Sequence, residues 1–223
     1  MAWMCSGKTN DELVDNLVKA RIISSSQVIS AMRAVDRAHF SKQYPYEDSP
    51  QGIGYGATIS APHMHGYALE GLVQYLKPGM RALDVGSGSG YLTACMAAMV
   101  GDNGLVVGIE HIPELADQSL VDLRAHYPQW VDSKRIEIVT GDGRKGYSGR
   151  APYDCIHVGA AAPSKPTELL AQLKAPGRMF VPVGTNNQYI VVYEKDSNGS
   201  VTEERVMGVR YVPLTDAAMQ FMG

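Results

Sequence analysis

Hydrophobic positions along the chain change their period twice. Leu13, Leu17 and Ala20, flanked by Val14 and Val18, form an apolar stripe at helical spacing. Thr9 and Glu12 supply a capping box at its start. Val28, Met32 and Val35 form a second stripe, which predicts a helix over about Ser26 to Asp36. From Ser41 to Pro62 neither period holds. Pro45, Pro50, Gly52, Gly54, Gly56 and Pro62 forbid a long regular element there. Tyr44, Tyr46, Ile53, Tyr55 and Ile59 are nonetheless groups that prefer burial, so the stretch reads as an ordered lid or substrate loop. Pro62 suits the first turn of a helix over about His63 to Leu76.

After Lys77 the pattern becomes one of short apolar runs between helical runs. It predicts strands at Arg81–Val85, Leu105–Glu110, Ile136–Thr140, Tyr153–Val158, Arg178–Val183, Tyr189–Tyr193 and about Val206–Val212. Helices are expected over 91–100, 113–126 and 166–174, and Asp196-Ser197-Asn198-Gly199 reads as a hairpin turn. The alternation makes the chain an α/β protein with a mostly parallel, doubly wound sheet and an antiparallel edge. The expected division is a helical cap with a substrate loop over 1–77 and a sheet domain over 78–223.

Composition narrows the partners. The 223 residues are 45% hydrophobic and 19% charged, and the net charge is −3. No basic excess suggests a nucleic-acid footprint. Cys5, Cys95 and Cys155 are odd in number and far apart, so neither a zinc site nor a disulfide framework is indicated. They read as small buried hydrophobes. No apolar run, at Met1–Met4 or elsewhere, is long enough for a membrane span, and a cytosolic monomer is the expectation. Arg33, Arg37, His39 and Lys42 read as a solvated face.

Chemistry concentrates at the first predicted strand. Leu83 and Val85 run into Gly86, Gly88 and Gly90, and a helix begins at Tyr91. Such a turn lets a ligand approach main-chain amides at a helix amino end. A dinucleotide fingerprint would place Gly or Ala where Tyr91 stands. Asp84 with the Gly-x-Gly-x-Gly spacing resembles instead the nucleotide motif of the class I S-adenosylmethionine methyltransferases, in which the acidic residue lies near the methionine end of the cofactor. Glu110 ends the second strand, where a carboxylate can accept from both ribose hydroxyls. In the Gly141-Asp142-Gly143-Arg144 turn, Asp142 can accept from an adenine amino group while the Gly143 amide donates to the ring. The fourth strand leads to Gly159-Ala160-Ala161-Ala162-Pro163, a small-walled loop suited to close approach of a peptide. Two other readings of this architecture compete: a nicotinamide-dependent oxidoreductase and a non-enzymatic module on a cofactor scaffold. Ser60 could cap the helix that follows it or sit beside the reacting groups.

Across nearly its whole length the chain resembles the protein-L-isoaspartate O-methyltransferase family. The residues that carry the likeness are ATISAPHMH at Ala57–His65, DVGSGSG at Asp84–Gly90, GDGR at Gly141–Arg144, HVGAAA at His157–Ala162 and VPLTD at Val212–Asp216. The resemblance implies methyl transfer from S-adenosyl-L-methionine, leaving S-adenosyl-L-homocysteine, to the free α-carboxylate of isoaspartyl peptides and proteins. It makes Ser60 the catalytic residue. It assigns the cofactor to Ala57, Thr58, Ile59, Ser60, His65, Asp84, Gly86, Ser87, Gly88, Glu110, His111, Asp142, Gly143 and Thr215, and the substrate to Ile59, Ser60, His65 and Val212. No metal, nucleic acid or membrane is implied. The family often carries Asp where Glu110 stands, which keeps the acceptor but lengthens its reach. The end soon after Phe221 would leave out any longer family tail.

Overall fold

The computed structural model describes residues 5–216; Met1–Met4 and the residues after Asp216, Phe221 among them, lie outside the described part. The two amino-terminal stripes form α1 (Asn10–Lys19) and α2 (Ser26–Ala34). Thr9 Oγ1 accepts the Glu12 amide at 3.2 Å, while the Glu12 carboxylate reaches back to the Lys8 amide at 2.9 Å. The stretch expected to be irregular contains a two-stranded antiparallel hairpin, β1 (Gln51–Gly54) and β2 (Ala57–Ile59). Helix α3 spans Pro62–Leu72 and continues only as a short 3-10 turn over Val73–Tyr75. Its cap position is Ala61, so Ser60 stands one residue too early to cap it.

The sheet then builds as β3 (Arg81–Val85), α4 (Tyr91–Val100), β4 (Leu105–Glu110), α5 (Pro113–His126), α6 (Pro128–Asp132), β5 (Ile136–Thr140), β6 (Tyr153–Val158), α7 (Thr167–Gln172), β7 (Leu173–Val183), β8 (Gln188–Lys195) and β9 (Val201–Val209). Its seven strands lie in the order β5-β4-β3-β6-β7-β8-β9. The first five are parallel, and β8 and β9 are antiparallel to their neighbours.

The departures from the sequence reading that matter most lie toward the carboxyl end. The helix expected over 166–174 stops at Gln172, and β7 begins at once. Pro176 and Gly177 disguised that start, because the β6–β7 register breaks between Tyr153 and Cys155 and the extra residues of β7 bulge outward. The last strand runs over 201–209, not 206–212. It is an edge strand whose Thr202, Glu203, Glu204 and Arg205 face solvent, so its first half shows no apolar alternation.

Successive residues of each central strand feed opposite faces. Ala82, Val106, Cys155 and Phe180 join Leu13, Met32, Leu69 and Met96 in one core cluster. Leu83, Val107, Ile156 and Met179 join Leu169 and Leu170 in the other. All three cysteines are buried and unpaired, and burial pushes the Cys95 thiol up to about 12, which leaves it inert. The expected solvated face of Arg33, Arg37, His39 and Lys42 fails at Arg37, which is 0% exposed. After α2 the chain turns inward through one 3-10 turn, Arg37–His39, and carries that side chain beneath α3 and α4. Among the described residues no helix is long and apolar enough to cross a membrane, and no metal-ligand cluster occurs.

Candidate active site

The chain leaves β3 toward β4 and β5 on one side of the sheet and returns through β6 and β7 on the other. A crevice opens where the strand order reverses, at the carboxyl ends of β3 and β6. The turn after β3 is pinned from below, with the Gly86 and Ser87 amides donating to the Ile109 carbonyl at 2.9 and 3.1 Å. Gly88 has φ +52°, and a side chain there would meet Ile53 Cδ1 of the β1–β2 hairpin at 3.2 Å. The backbone therefore favours glycine, and any side chain would also press on the hairpin folded over it.

Each predicted acidic residue has a defined surrounding. Asp84 is buried; Oδ1 accepts from His157 Nδ1 at 2.8 Å and Oδ2 from the Thr93 hydroxyl at 2.6 Å. Glu110 is also buried, and its two oxygens accept the Gly88 and Ile112 amides at 2.9 and 3.1 Å. One amide per oxygen leaves lone pairs for a diol. Asp142 faces another way. Its carboxylate is bidentate with Arg144, which holds it below the usual carboxylate range, and Arg144 also reaches Asp216.

The crevice divides into joined cavities. One is walled by Ala57, Gly86, Gly88, Glu110, His111 and Gly143, and roofed by Val212 to Thr215. The roof is tied down by bonds from the Ala161 amide to the Val212 carbonyl, from the Leu214 amide to the Ala161 carbonyl, and between His111 Nδ1 and the Thr215 carbonyl at 3.1 Å. The next cavity is walled by Ile59, Ser60, His65, Asp84, Ser87 and His157. The buried Ser87 hydroxyl there has no hydrogen-bond partner and lies over Gly108 of β4, where an added Cβ would come within 3.1 Å of it. The third is an open groove of about 860 Å³ between the start of α3 and strands β8 and β9. Val212 lines it, none of its lining residues is acidic, and Arg210 is basic. Thr58 and Gly159 line all three cavities, and Ser60 lines two.

The structure thus brings the predicted site residues together, except that the Asp142 side chain lines none of the three cavities. Sequence reasoning missed Arg37, Thr93, His157 and Tyr211. His157 opens the HVGAAA run and was visible as a motif residue without a role. Burial pushes the Tyr211 phenol up to about 12, and the nearby Ser60 side chain opposes the rise. Arg37 donates to the Ser60 carbonyl at 2.8 Å and lies 3.2 Å from His65 Nδ1. Tyr91, in place of the third glycine of a dinucleotide motif, packs its ring under Arg37 and His65.

A parallel sheet with an antiparallel edge, a glycine turn after its central strand and an acidic residue ending the next one define the class I S-adenosylmethionine-dependent methyltransferase fold. The family model of protein-L-isoaspartate(D-aspartate) O-methyltransferase matches residues 8–219. The chain belongs to that family. It is 49% identical over 223 residues to protein-L-isoaspartate O-methyltransferase of Caenorhabditis elegans, covering 99% of both chains. It is 49% identical over 217 residues to protein-L-isoaspartate O-methyltransferase 1 of Arabidopsis thaliana, covering 96% of this chain and 94% of that one. Among solved structures, a Plasmodium falciparum protein-L-isoaspartate O-methyltransferase in complex with S-adenosyl-L-homocysteine superposes with a TM-score of 0.88. It is 34% identical, and the match covers 94% of this chain and 99% of that chain.

Proposed function

We propose that this chain moves the methyl group of S-adenosyl-L-methionine to the free α-carboxylate of L-isoaspartyl and D-aspartyl residues in damaged proteins. The ester so formed closes to a succinimide, which hydrolyses partly to aspartate. The observation that carries the reading is the junction at Thr58, Ser60 and Gly159, where an open, peptide-sized groove meets the enclosed cavities around Asp84 and Glu110.

The cavities fit the cofactor. A Cβ at Gly143 would lie 2.6 Å from Val85 Cγ1, so glycine lets this turn pack against the end of β3 while it lines the cavity. Glu110 would hold the ribose, with Asp84 and Ser87 toward the methionine end. Asp142 would have to turn out of its Arg144 pair to reach the adenine edge, while Gly143 already lines that cavity. When bound, the cofactor supplies an electrophilic methyl on a cationic sulfur.

The chain's own residues position the acceptor. A carboxylate of pKa about 3.5 to 4 is ionised at neutral pH, so the attack needs no general base. Ser60 and His65 orient it, and the β1–β2 hairpin and the Val212–Thr215 roof exclude water. In-line placement can contribute roughly 7–11 kcal/mol in favourable cases. The lack of acidic lining in the groove favours an anionic substrate. We further propose that the enzyme is a cytosolic monomer acting on proteins rather than nucleic acid, which agrees with its net charge of −3.

The test is tritiated methyl transfer to paired peptides that differ only in an aspartyl or isoaspartyl linkage. Label on the isoaspartyl peptide alone is expected. Equal labelling of both, or of neither, overturns the assignment.

A further inference from the structure

Arg37 is a buried cation whose hydrogen-bond partners are all neutral. Its side chain is 0% exposed, and no carboxylate among the described residues forms an ion pair with it. Its partners are the Ser60 carbonyl at 2.8 Å, His65 Nδ1 at 3.2 Å and the Tyr91 ring at 5.3 Å, and its Nε has none. A charge placed so is costly unless it serves a purpose. Burial draws its pKa down to about 10, still far above neutrality, so the guanidinium is a donor only.

A donor-only neighbour fixes the state of the ring it faces. His65 Nδ1 must accept, so the imidazole proton sits on Nε2. His65 belongs to the cavity that also holds Ser60, Asp84 and Ser87. We propose that Arg37 is a positioning residue that locks His65 as the neutral Nε2–H form, presenting a fixed hydrogen-bond donor to a carboxylate bound between Ser60 and Asp84. The inference rests on the proposed reaction, which brings two carboxylates to this place: the α-carboxylate of the isoaspartyl residue and that of the cofactor's methionine. The charged and titratable groups around the pair agree with it. Arg37, His157 and His63 all disfavour a proton on His65, and Tyr91, Cys95 and Asp48 face Arg37. The same guanidinium holds the Ser60 carbonyl, so the ring and the segment carrying Ser60 share one anchor.

The test begins without turnover. In protein labelled with 15N-histidine, the ring-nitrogen shifts of His65 should report Nε2–H and stay constant across the pH range of activity. In Arg37→Met, and more weakly in Arg37→Lys, the resonance should move toward a tautomer mixture and begin to titrate. A wild-type ring protonated on Nδ1, or an unchanged ring in a folded Arg37→Met, overturns the proposal. Binding then separates the two carboxylates. Weaker S-adenosyl-L-homocysteine binding by about tenfold or more with peptide KM unchanged assigns the cofactor's carboxylate, and the reverse assigns the peptide's. No change in either in folded Arg37→Met overturns the role. In a His65→Ala background Arg37→Met should add little further loss; an undiminished loss shows that Arg37 does not act through His65.

Discussion

His157 Nδ1 lies 2.8 Å from Asp84 Oδ1, across the β3–β6 pair at the floor of the crevice. The Thr93 hydroxyl closes on the other oxygen at 2.6 Å. Both partners donate to the carboxylate. In Asp84→Asn one of them must turn to accept from the new amide in a buried place, and the negative charge is lost. We expect S-adenosyl-L-homocysteine binding to disappear from calorimetry at concentrations that saturate the parent. Parent-like binding would show that the cofactor does not lie against Asp84.

Gly88→Val should act by a different route. The backbone at φ +52° strains any branched residue, and the added carbons run into Ile53 of the covering hairpin. Cofactor binding should be lost, and thermal stability should fall by about 1–3 kcal/mol. Calorimetry with S-adenosyl-L-homocysteine and a thermal melt read the two effects separately.

Ser60→Ala should leave the cofactor cavities intact, because the Arg37 bond goes to the Ser60 carbonyl and survives the change. We expect kcat to fall by about tenfold or more, with S-adenosyl-L-homocysteine affinity within about twofold of the parent. A large loss of cofactor affinity instead would make the hydroxyl a cofactor ligand.

The buried His65 gives a pH signature. Burial, followed by the Arg37 charge, holds it well below the usual imidazole range. The unfolded chain takes up a proton near pH 6.5 that the native ring refuses. Stability is thus undiminished above about pH 6.5 and declines as the pH falls below it, by at most about 1.4 kcal/mol per pH unit from this one ring. Urea unfolding at about pH 7.5 and 5.5 should show a shallower dependence in His65→Gln than in the parent.

The central strands were legible because β3, β4 and β6 are buried on both faces and read as continuous apolar runs. The Asp84, Glu110 and Gly143 positions were legible because parallel strands bring their ends to one edge. Arg37 was not. A charged residue just past an amphipathic helix normally points to water, and only the inward 3-10 turn at Arg37–His39 reverses that. The β1–β2 hairpin was hidden for a related reason. Its left-handed residues, Gly54, Tyr55 and Gly56, break the alternation that marks a strand. The strand β7 was shortened in the reading because Pro176 and Gly177 sit inside its bulge.

The outer rim of the sheet has its own consequence. Strand β9 pairs with β8 alone, and along its open side it carries Glu203, Glu204 and Arg205, with a register break where β8 passes Ile190 and Val191. Charges and an interrupted ladder discourage a further strand from docking there. Aged, partly unravelled polypeptides are adhesive company, prone to recruit any bare β margin into aggregates. Along this rim a repair enzyme offers such chains little template for capture.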